Sequence, residues 1–314
     1  MQARANGRDW PLHALTMTGL VRLDDLERCV ETIVRDSVAG DLIEAGSWRG
    51  GSSILMRATL DSLGAEDRTV WVADSFQGFP APDPRPDQDA GGSGYAGSLA
   101  PYFAAFDYLA APLDDVQESF ARLGYLRGVN FVPGFFEQTL PTLAGGNRRW
   151  SVIRLDGDTY DVTLLALRCL YPSLSNGGYL IVDDYLAVDE CRHAVEDFRR
   201  EHSIDEPLEQ VDWSCARWRR TSERPIEPYV PPAGEAAPPR QAMQRSERCA
   251  VPTERELELE QQLGELSVRL SGLEGELDRA RAIEHQLREV TESTSWRLTR
   301  PLRELSRRLR GTHG

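Results

Sequence analysis

Two short acidic segments carry most of the chemistry legible in this chain. One reads Arg154-Leu155-Asp156-Gly157-Asp158-Thr159-Tyr160 and the other Ile181-Val182-Asp183-Asp184-Tyr185. Each closes an apolar run of strand type. If the two strands are neighbours, three or four carboxylates meet at one sheet edge. Carboxylates that close raise one another's pKa unless a cation sits among them. Oxygen donors with no His or Cys between them suit Mg²⁺ or a similar hard cation. Asp156 and Asp158 are two residues apart and can face the same side of an extended segment. The plain alternative is a set of unrelated capping aspartates; two clusters on consecutive apolar strands argue against it. His193 and His202 are rival bases, and each reads more simply as a helix-surface histidine.

A second constellation is Glu44-Ala45-Gly46-Ser47-Trp48-Arg49-Gly50-Gly51-Ser52. It follows an apolar run and precedes a helical one. Glycines let a ligand approach the backbone, and a helix start offers unpaired N–H groups. A strand, such a turn and a helix form a nucleotide-type cradle at the carboxyl edge of a parallel sheet. The turn is not GxGxxG, which argues against a nicotinamide dehydrogenase. The next apolar run ends Ala73-Asp74-Ser75-Phe76. Asp74 there can accept hydrogen bonds from ribose hydroxyls, or serve only as a turn or capping aspartate.

The elements that must position these residues follow from patterning. Strand-type runs fall at 41–44, 70–73, 129–132, 151–155 and 179–182, with a weaker one near 211–218. Helical runs lie at 23–37, 52–63, 114–125, 161–171 and 189–202. Continuous apolar strands separated by helices predict an α/β fold, a doubly wound and mostly parallel sheet. Residues 1–222 make this domain, with a Pro- and Gly-rich, then aromatic, insertion at 80–113 of the kind that forms a lid or flexible loop. Residues 223–252 read as a Pro-rich linker.

Beyond it, Leu259, Leu263, Leu266, Leu270, Leu273 and Leu277 are spaced four, three, four, three, four, which predicts a coiled coil over 253–292 and a homo-oligomer through it. Residues 293–314 form a basic amphipathic tail. Leu298, Leu302, Leu305 and Leu309 recur at helical spacing among arginines, as in a helix that lies on a membrane surface or docks on a protein.

The chain has 314 residues and a net charge of −14, which excludes broad affinity for nucleic acid. No run approaches the roughly 20 apolar residues of a membrane span, and the first residues lack the apolar core of a signal peptide. The expectation is a cytoplasmic protein, with the tail offering contact to the inner face of the membrane. Five scattered cysteines read as reduced thiols.

At these residues the chain resembles the macrocin O-methyltransferase (TylF-type) family of sugar methyltransferases. The segments that carry the resemblance are TMTGLVRLD (16–24), DLIEAGSWRGGSSILMR, RTVWVADSFQGFP, FVPGFFEQTLP, RLDGDTY and GGYLIVDDY, in that order over about residues 14–220. The resemblance implies a Rossmann-like class I methyltransferase fold, S-adenosylmethionine as methyl donor, a divalent cation such as Mg²⁺ and a sugar hydroxyl as acceptor. It matches Asp156, Asp183 and Asp184 to metal ligands and Asp158 to the general base. It matches Glu44, Gly46 and Asp74 to cofactor positions, and places Ser119 and the 135–138 turn with Phe136 near the adenine. Ser47, Trp48, Ser75 and Asp156 complete the expected cofactor contacts.

The segment Ser295-Trp296-Arg297-Leu298-Thr299-Arg300-Pro301-Leu302-Arg303 is similar to one that follows coiled coils in bacterial glycan-assembly proteins. It directs the leading expectation to a cell-surface glycan, polysaccharide or glycosylated precursor as acceptor, with a glycosyltransferase as a further partner for the tail. A tailoring enzyme for a glycosylated natural product of macrolide or aminocoumarin type is the alternative. An inactive scaffold for glycan assembly is the reading from another class, and the intact acidic pairs argue against it.

Overall fold

In the computed structural model the described residues are 2–7, 14–79 and 109–230. Most of the expected insertion (80–108), most of the linker, the leucine seam and the basic tail lie outside them.

The chain opens with a single helical turn, α1 (Gln2–Ala5), and then α2 (Leu20–Arg35). From there strands and helices alternate: β1 (Asp41–Ala45), α3 (Gly51–Ser62), β2 (Val70–Asp74), α4 (Leu113–Leu123), β3 (Val129–Pro133), α5 (Phe136–Leu143), β4 (Trp150–Leu155), α6 (Tyr160–Leu170), β5 (Leu174–Val182), α7 (Asp189–Glu201), β6 (Glu209–Gln210) and β7 (Ala216–Arg219). The seven strands form one sheet in the order β3-β2-β1-β4-β5-β7-β6. The first five are parallel; β7 runs antiparallel to β5 and β6 pairs antiparallel with β7.

Strand alternation divides the core between two faces. Leu42 pairs in register with Val152, and both join Ile181 against α2 and α3. Ile43 pairs with Ile153, which pairs with Leu180, and all three face the other way, onto α6 and α7. Burial on both faces is why these strands read as unbroken apolar runs. The winding reverses between β1 and β4. Open α/β sheets bind ligands in the crevice outside the carboxyl ends of their strands at such a switch point.

Three elements differ from the sequence expectation. Helix α5 lies where the sequence pattern gave no helical run and the resemblance gave only the 135–138 turn; it is short, and Pro141 lies inside its eight residues, a residue that opposes a helix interior. The stretch near 211–218 divides: Asp212 Oδ1 accepts the N–H groups of Ser214 and Cys215, so the backbone turns and leaves β6 and β7 as separate strands. Residues 223–230 lack helix or strand but do not behave as free linker. Ile226 and Tyr229 pack on the α6–α7 core, and Glu206 accepts the N–H groups of Thr221 and Ser222 at 3.0 Å each.

Candidate active site

The carboxyl ends of β1, β2, β4 and β5 open on two adjoining cavities. One is mostly apolar and aromatic, with Trp48, Phe79, Phe135 and Phe136 around Gly46, Asp74 and Ser75. The other, the polar cavity, is distinguished by its hydroxyl and charged side chains, among them Thr16, Thr18, Ser52, Arg22, Arg154, Asp183 and Asp184. Met17, Trp48, Leu109, Asp156 and Asp158 line both.

The turn after β1 forms the cradle of the apolar cavity. Gly46 has φ +92°, and a Cβ there would fall 2.0 Å from the carbonyl oxygen of Asp156, so only glycine lets β1 and β4 approach at this point. Asp74, at the end of β2, holds the turn from the side. Its Oδ2 accepts the N–H groups of Ser47 (2.7 Å) and Trp48 (3.0 Å), and its Oδ1 accepts that of Phe76 (2.9 Å). Trp48, Phe76 and Asp158 all have positive φ, at 46°, 56° and 55°. Strained non-glycine backbone gathers where a surrounding structure holds a ligand or reacting group in place.

In the polar cavity one ligand oxygen each from Asp156, Asp158 and Asp184 lies within 4.8 Å of the other two. Burial and mutual repulsion act on all three. Asp158 is pushed up to about 7, first by burial and then by the Asp156 charge. Asp156 is raised by burial and by Asp183, and Asp184 well above the usual carboxylate range by burial, Asp158 and Asp156. Asp184 Oδ2 is buried without a hydrogen-bond partner. A buried orphan oxygen beside two more carboxylates fits a hard divalent cation, which would satisfy the orphan and offset the repulsion.

Arg154 lies behind this trio and is almost wholly buried. Its Nη1 donates to Glu44 Oε1 (2.7 Å) and Asp156 Oδ2 (3.0 Å), and its Nη2 to Thr18 Oγ1 (3.1 Å) and to Asp183. Asp183 also accepts from Arg22. Glu44, buried between Arg154 and the Ser53 hydroxyl, is raised to about 7, chiefly by burial.

Comparison with known proteins settles the class. The profile of the family described as macrocin-O-methyltransferase (TylF) matches residues 1–220. The chain belongs to the TylF family. Over 229 residues it is 47% identical to the 8-demethyl-8-(2,3-dimethoxy-alpha-L-rhamnosyl)-tetracenomycin-C 4'-O-methyltransferase of Streptomyces olivaceus, covering 72% of this chain and 84% of that one. It is 42% identical over 222 residues to the demethyldecarbamoylnovobiocin O-methyltransferase of Streptomyces niveus, covering 70% and 81%. The solved structure of the O-methyltransferase NovP superposes with a TM-score of 0.63 at 42% identity, over 70% of this chain and 88% of that one. This TylF-family chain is therefore an O-methyltransferase with a Rossmann-like class I fold.

Within this TylF-family fold the residues singled out from sequence fall in different places. Gly46, Trp48, Asp74, Ser75, Phe136 and Asp156 line the apolar cavity, and Glu44 and Ser47 the polar one. Ser119 lines neither cavity; it sits on α4 with its hydroxyl donating to the Asp115 carbonyl at 3.0 Å. Asp184 and Asp156 come together, and Asp158 joins them. Asp183, expected beside them as a ligand, instead turns its carboxylate to Arg22 and Arg154 because two buried guanidinium groups lie within reach. No histidine lines either cavity among the described residues; the His202 ring instead packs 4.5 Å from that of Phe198.

Sequence reasoning gave no role to Arg154, Arg22, Asp212 or Trp213. Arg154 carried a usable signal. A charged residue inside the apolar run Ser151–Leu155 is buried with the strand, and a buried guanidinium requires acidic partners.

Proposed function

We propose that this O-methyltransferase moves the methyl group of S-adenosylmethionine to a sugar hydroxyl of a glycosylated natural product, with a divalent cation such as Mg²⁺ held by Asp156 and Asp184. The observation that carries the reading is the meeting of the two cavities at Asp156 and Asp158. An apolar, aromatic chamber beside a glycine turn suits an adenosine group. A carboxylate-rich polar chamber next to it suits a hydroxylated acceptor.

The relatives carry the choice of acceptor. The names of the tetracenomycin and novobiocin enzymes describe tailoring of small natural products, and the mycinamicin III 3''-O-methyltransferase of Micromonospora griseorubida, 43% identical over 224 residues, does so again. A small glycoside therefore replaces the surface glycan as the preferred acceptor.

Asp156 and Asp184 would hold the cation, with Asp183 behind them as counter-charge to Arg22 and Arg154. When bound, the sulfonium donor supplies an electrophilic methyl group, and the cation lowers the pKa of a hydroxyl beside it. Asp158 would accept the proton of the hydroxyl that is methylated. Burial and the Asp156 charge raise the pKa of this carboxylate above its usual range before the cation binds, which makes it a better proton acceptor than an ordinary aspartate. Asp74 and Gly46 shape the donor's cradle, and the aromatic side chains keep water from it.

Methyl transfer from labelled donor to a panel of glycosides, with Mg²⁺ and with excess chelator, tests the reading. Transfer to a sugar hydroxyl that chelator abolishes and Mg²⁺ restores is the expected result. Full turnover in chelator removes the cation from the proposal, and labelling confined to non-sugar acceptors removes the sugar.

A further inference from the structure

Opposite chemistry to the carboxylate trio appears at the mouth of the polar cavity, in the turn between β6 and β7. The Asp212 carboxylate turns the chain there, and Trp213 lines the same cavity as Asp156, Asp158 and Asp184 while remaining 38% exposed. The turn is tied to the reacting centre. Asp212 Oδ2 lies 3.1 Å from Arg22 Nε, Arg22 pairs with Asp183, and Ser214 Oγ donates to the Asp183 carbonyl at 2.8 Å.

The indole itself is held. Its Nε1 donates to the Asn6 carbonyl at 2.7 Å, and the Arg22 guanidinium lies 5.8 Å from its ring centre. The Asn6–Gly7 turn is seated by glycine-to-glycine backbone contact: a Cβ on Gly19 would fall 2.3 Å from the Gly7 nitrogen, and one on Gly7 2.5 Å from Arg22 Nη2. A rigid aromatic ring at the rim of a polar cleft offers apolar area at little entropic cost. Deeper in the cleft, Ser52 Oγ lies 3.4 Å from Thr16 Oγ1 and 3.5 Å from Thr18 Oγ1. Thr16 Oγ1 accepts the Thr18 N–H at 3.0 Å and Thr18 Oγ1 accepts from Arg154 at 3.1 Å, so what remains for a ligand is chiefly the donor capacity of the Thr16 and Ser52 hydroxyls, whose mutual contact is long. A molecule with an aliphatic C–H face and several hydroxyls, a pyranose, complements such a cleft.

We propose that Trp213 is an acceptor-recognition residue, its indole packing on the C–H face of the sugar whose hydroxyl is methylated while the Thr16 and Ser52 hydroxyls meet the polar edge. The inference rests on the sugar-hydroxyl reading above.

The full-length enzyme with S-adenosylmethionine and Mg²⁺ tests it, using 8-demethyl-8-(2,3-dimethoxy-alpha-L-rhamnosyl)-tetracenomycin C and demethyldecarbamoylnovobiocin as acceptor probes. In Trp213→Ala the acceptor KM should rise about tenfold or more, with S-adenosylhomocysteine affinity by calorimetry unchanged within about twofold. Trp213→Phe keeps a ring and loses the bond to Asn6; it should restore KM to within about threefold of wild type. An unchanged KM in Trp213→Ala overturns the proposal, as does equal damage in both variants, which marks a merely structural role. Wild-type turnover of neither glycoside, nor of any other sugar, overturns the sugar-hydroxyl reading and this inference with it.

Discussion

Asp183 and Asp184 are adjacent in sequence and opposite in environment. Asp183 is the shared partner of two buried arginines; Asp184 carries an orphan oxygen beside two like charges. Asp183→Asn should therefore destabilise the fold by about 3–5 kcal/mol, because it leaves Arg22 and Arg154 short of charge. Asp184→Asn should keep or raise metal-free stability while losing most activity. Urea unfolding with turnover assays separates the two, and equal stability losses would contradict this division. Asp158→Asn should depress kcat by about 10²–10⁴-fold, the usual worth of a proton acceptor, and leave S-adenosylhomocysteine binding nearly intact. Only the ionised form of Asp158 accepts a proton. Burial and the Asp156 charge raise its pKa to about 7 without metal, and a bound cation moves it back down. With Mg²⁺ the single-turnover rate should therefore climb with pH and level off below pH 7. A rate flat from pH 4.5 to 7 would point to another base.

At the scale of elements, two joints matter. The first is the β1–α3 turn, where one carboxylate from β2 accepts three backbone N–H groups. Asp74→Ala should weaken cofactor binding and also cost about 1–3 kcal/mol of stability, since those donors lose their acceptor. Unchanged cofactor affinity by calorimetry would limit Asp74 to a turn role. The second joint is the pair of strand ends at β4 and β5, which carry Asp156, Asp158 and Asp184. Their pKa values are raised in the folded state, that of Asp158 to about 7, so above the usual carboxylate range the native protein binds more protons than the unfolded chain until these groups ionise. That contribution is favourable at low pH and fades as pH rises through the window. With chelator, thermal unfolding should come at a lower temperature at pH 8 than at pH 5.5, and Mg²⁺ should narrow the gap. A gap that Mg²⁺ leaves untouched would place the effect elsewhere.

For the whole molecule, the boundary of the folded unit follows from packing. Truncation after Ser222 removes Ile226 and Tyr229 from the α6–α7 core, whereas truncation after Val230 keeps them. The longer fragment should melt several degrees higher and retain activity; equal melting would make 223–230 dispensable. If the leucine seam at 259–277 pairs chains, light scattering should count fewer chains per particle for both fragments than for the full-length protein. No helix among the described residues is long and apolar enough to cross a membrane.

The sequence by itself determined the five main strands, their mostly parallel pairing and the class of chemistry. Unbroken apolar runs mark strands buried on two faces, and acidic or glycine-rich residues placed directly after them must emerge at the sheet's carboxyl edge. The motifs around Gly46, Asp74, Asp156 and Asp184 were legible for that reason. Only the tertiary structure decided what each carboxylate faces. Arg154 and Arg22 lie 29 and 161 residues from Asp183, and Trp213 meets Asn6 across 207 residues. Local pattern carries no information at such separations. Which neighbour a side chain finds there depends on the register of β4 against β5 and on where the N-terminal turn comes to rest.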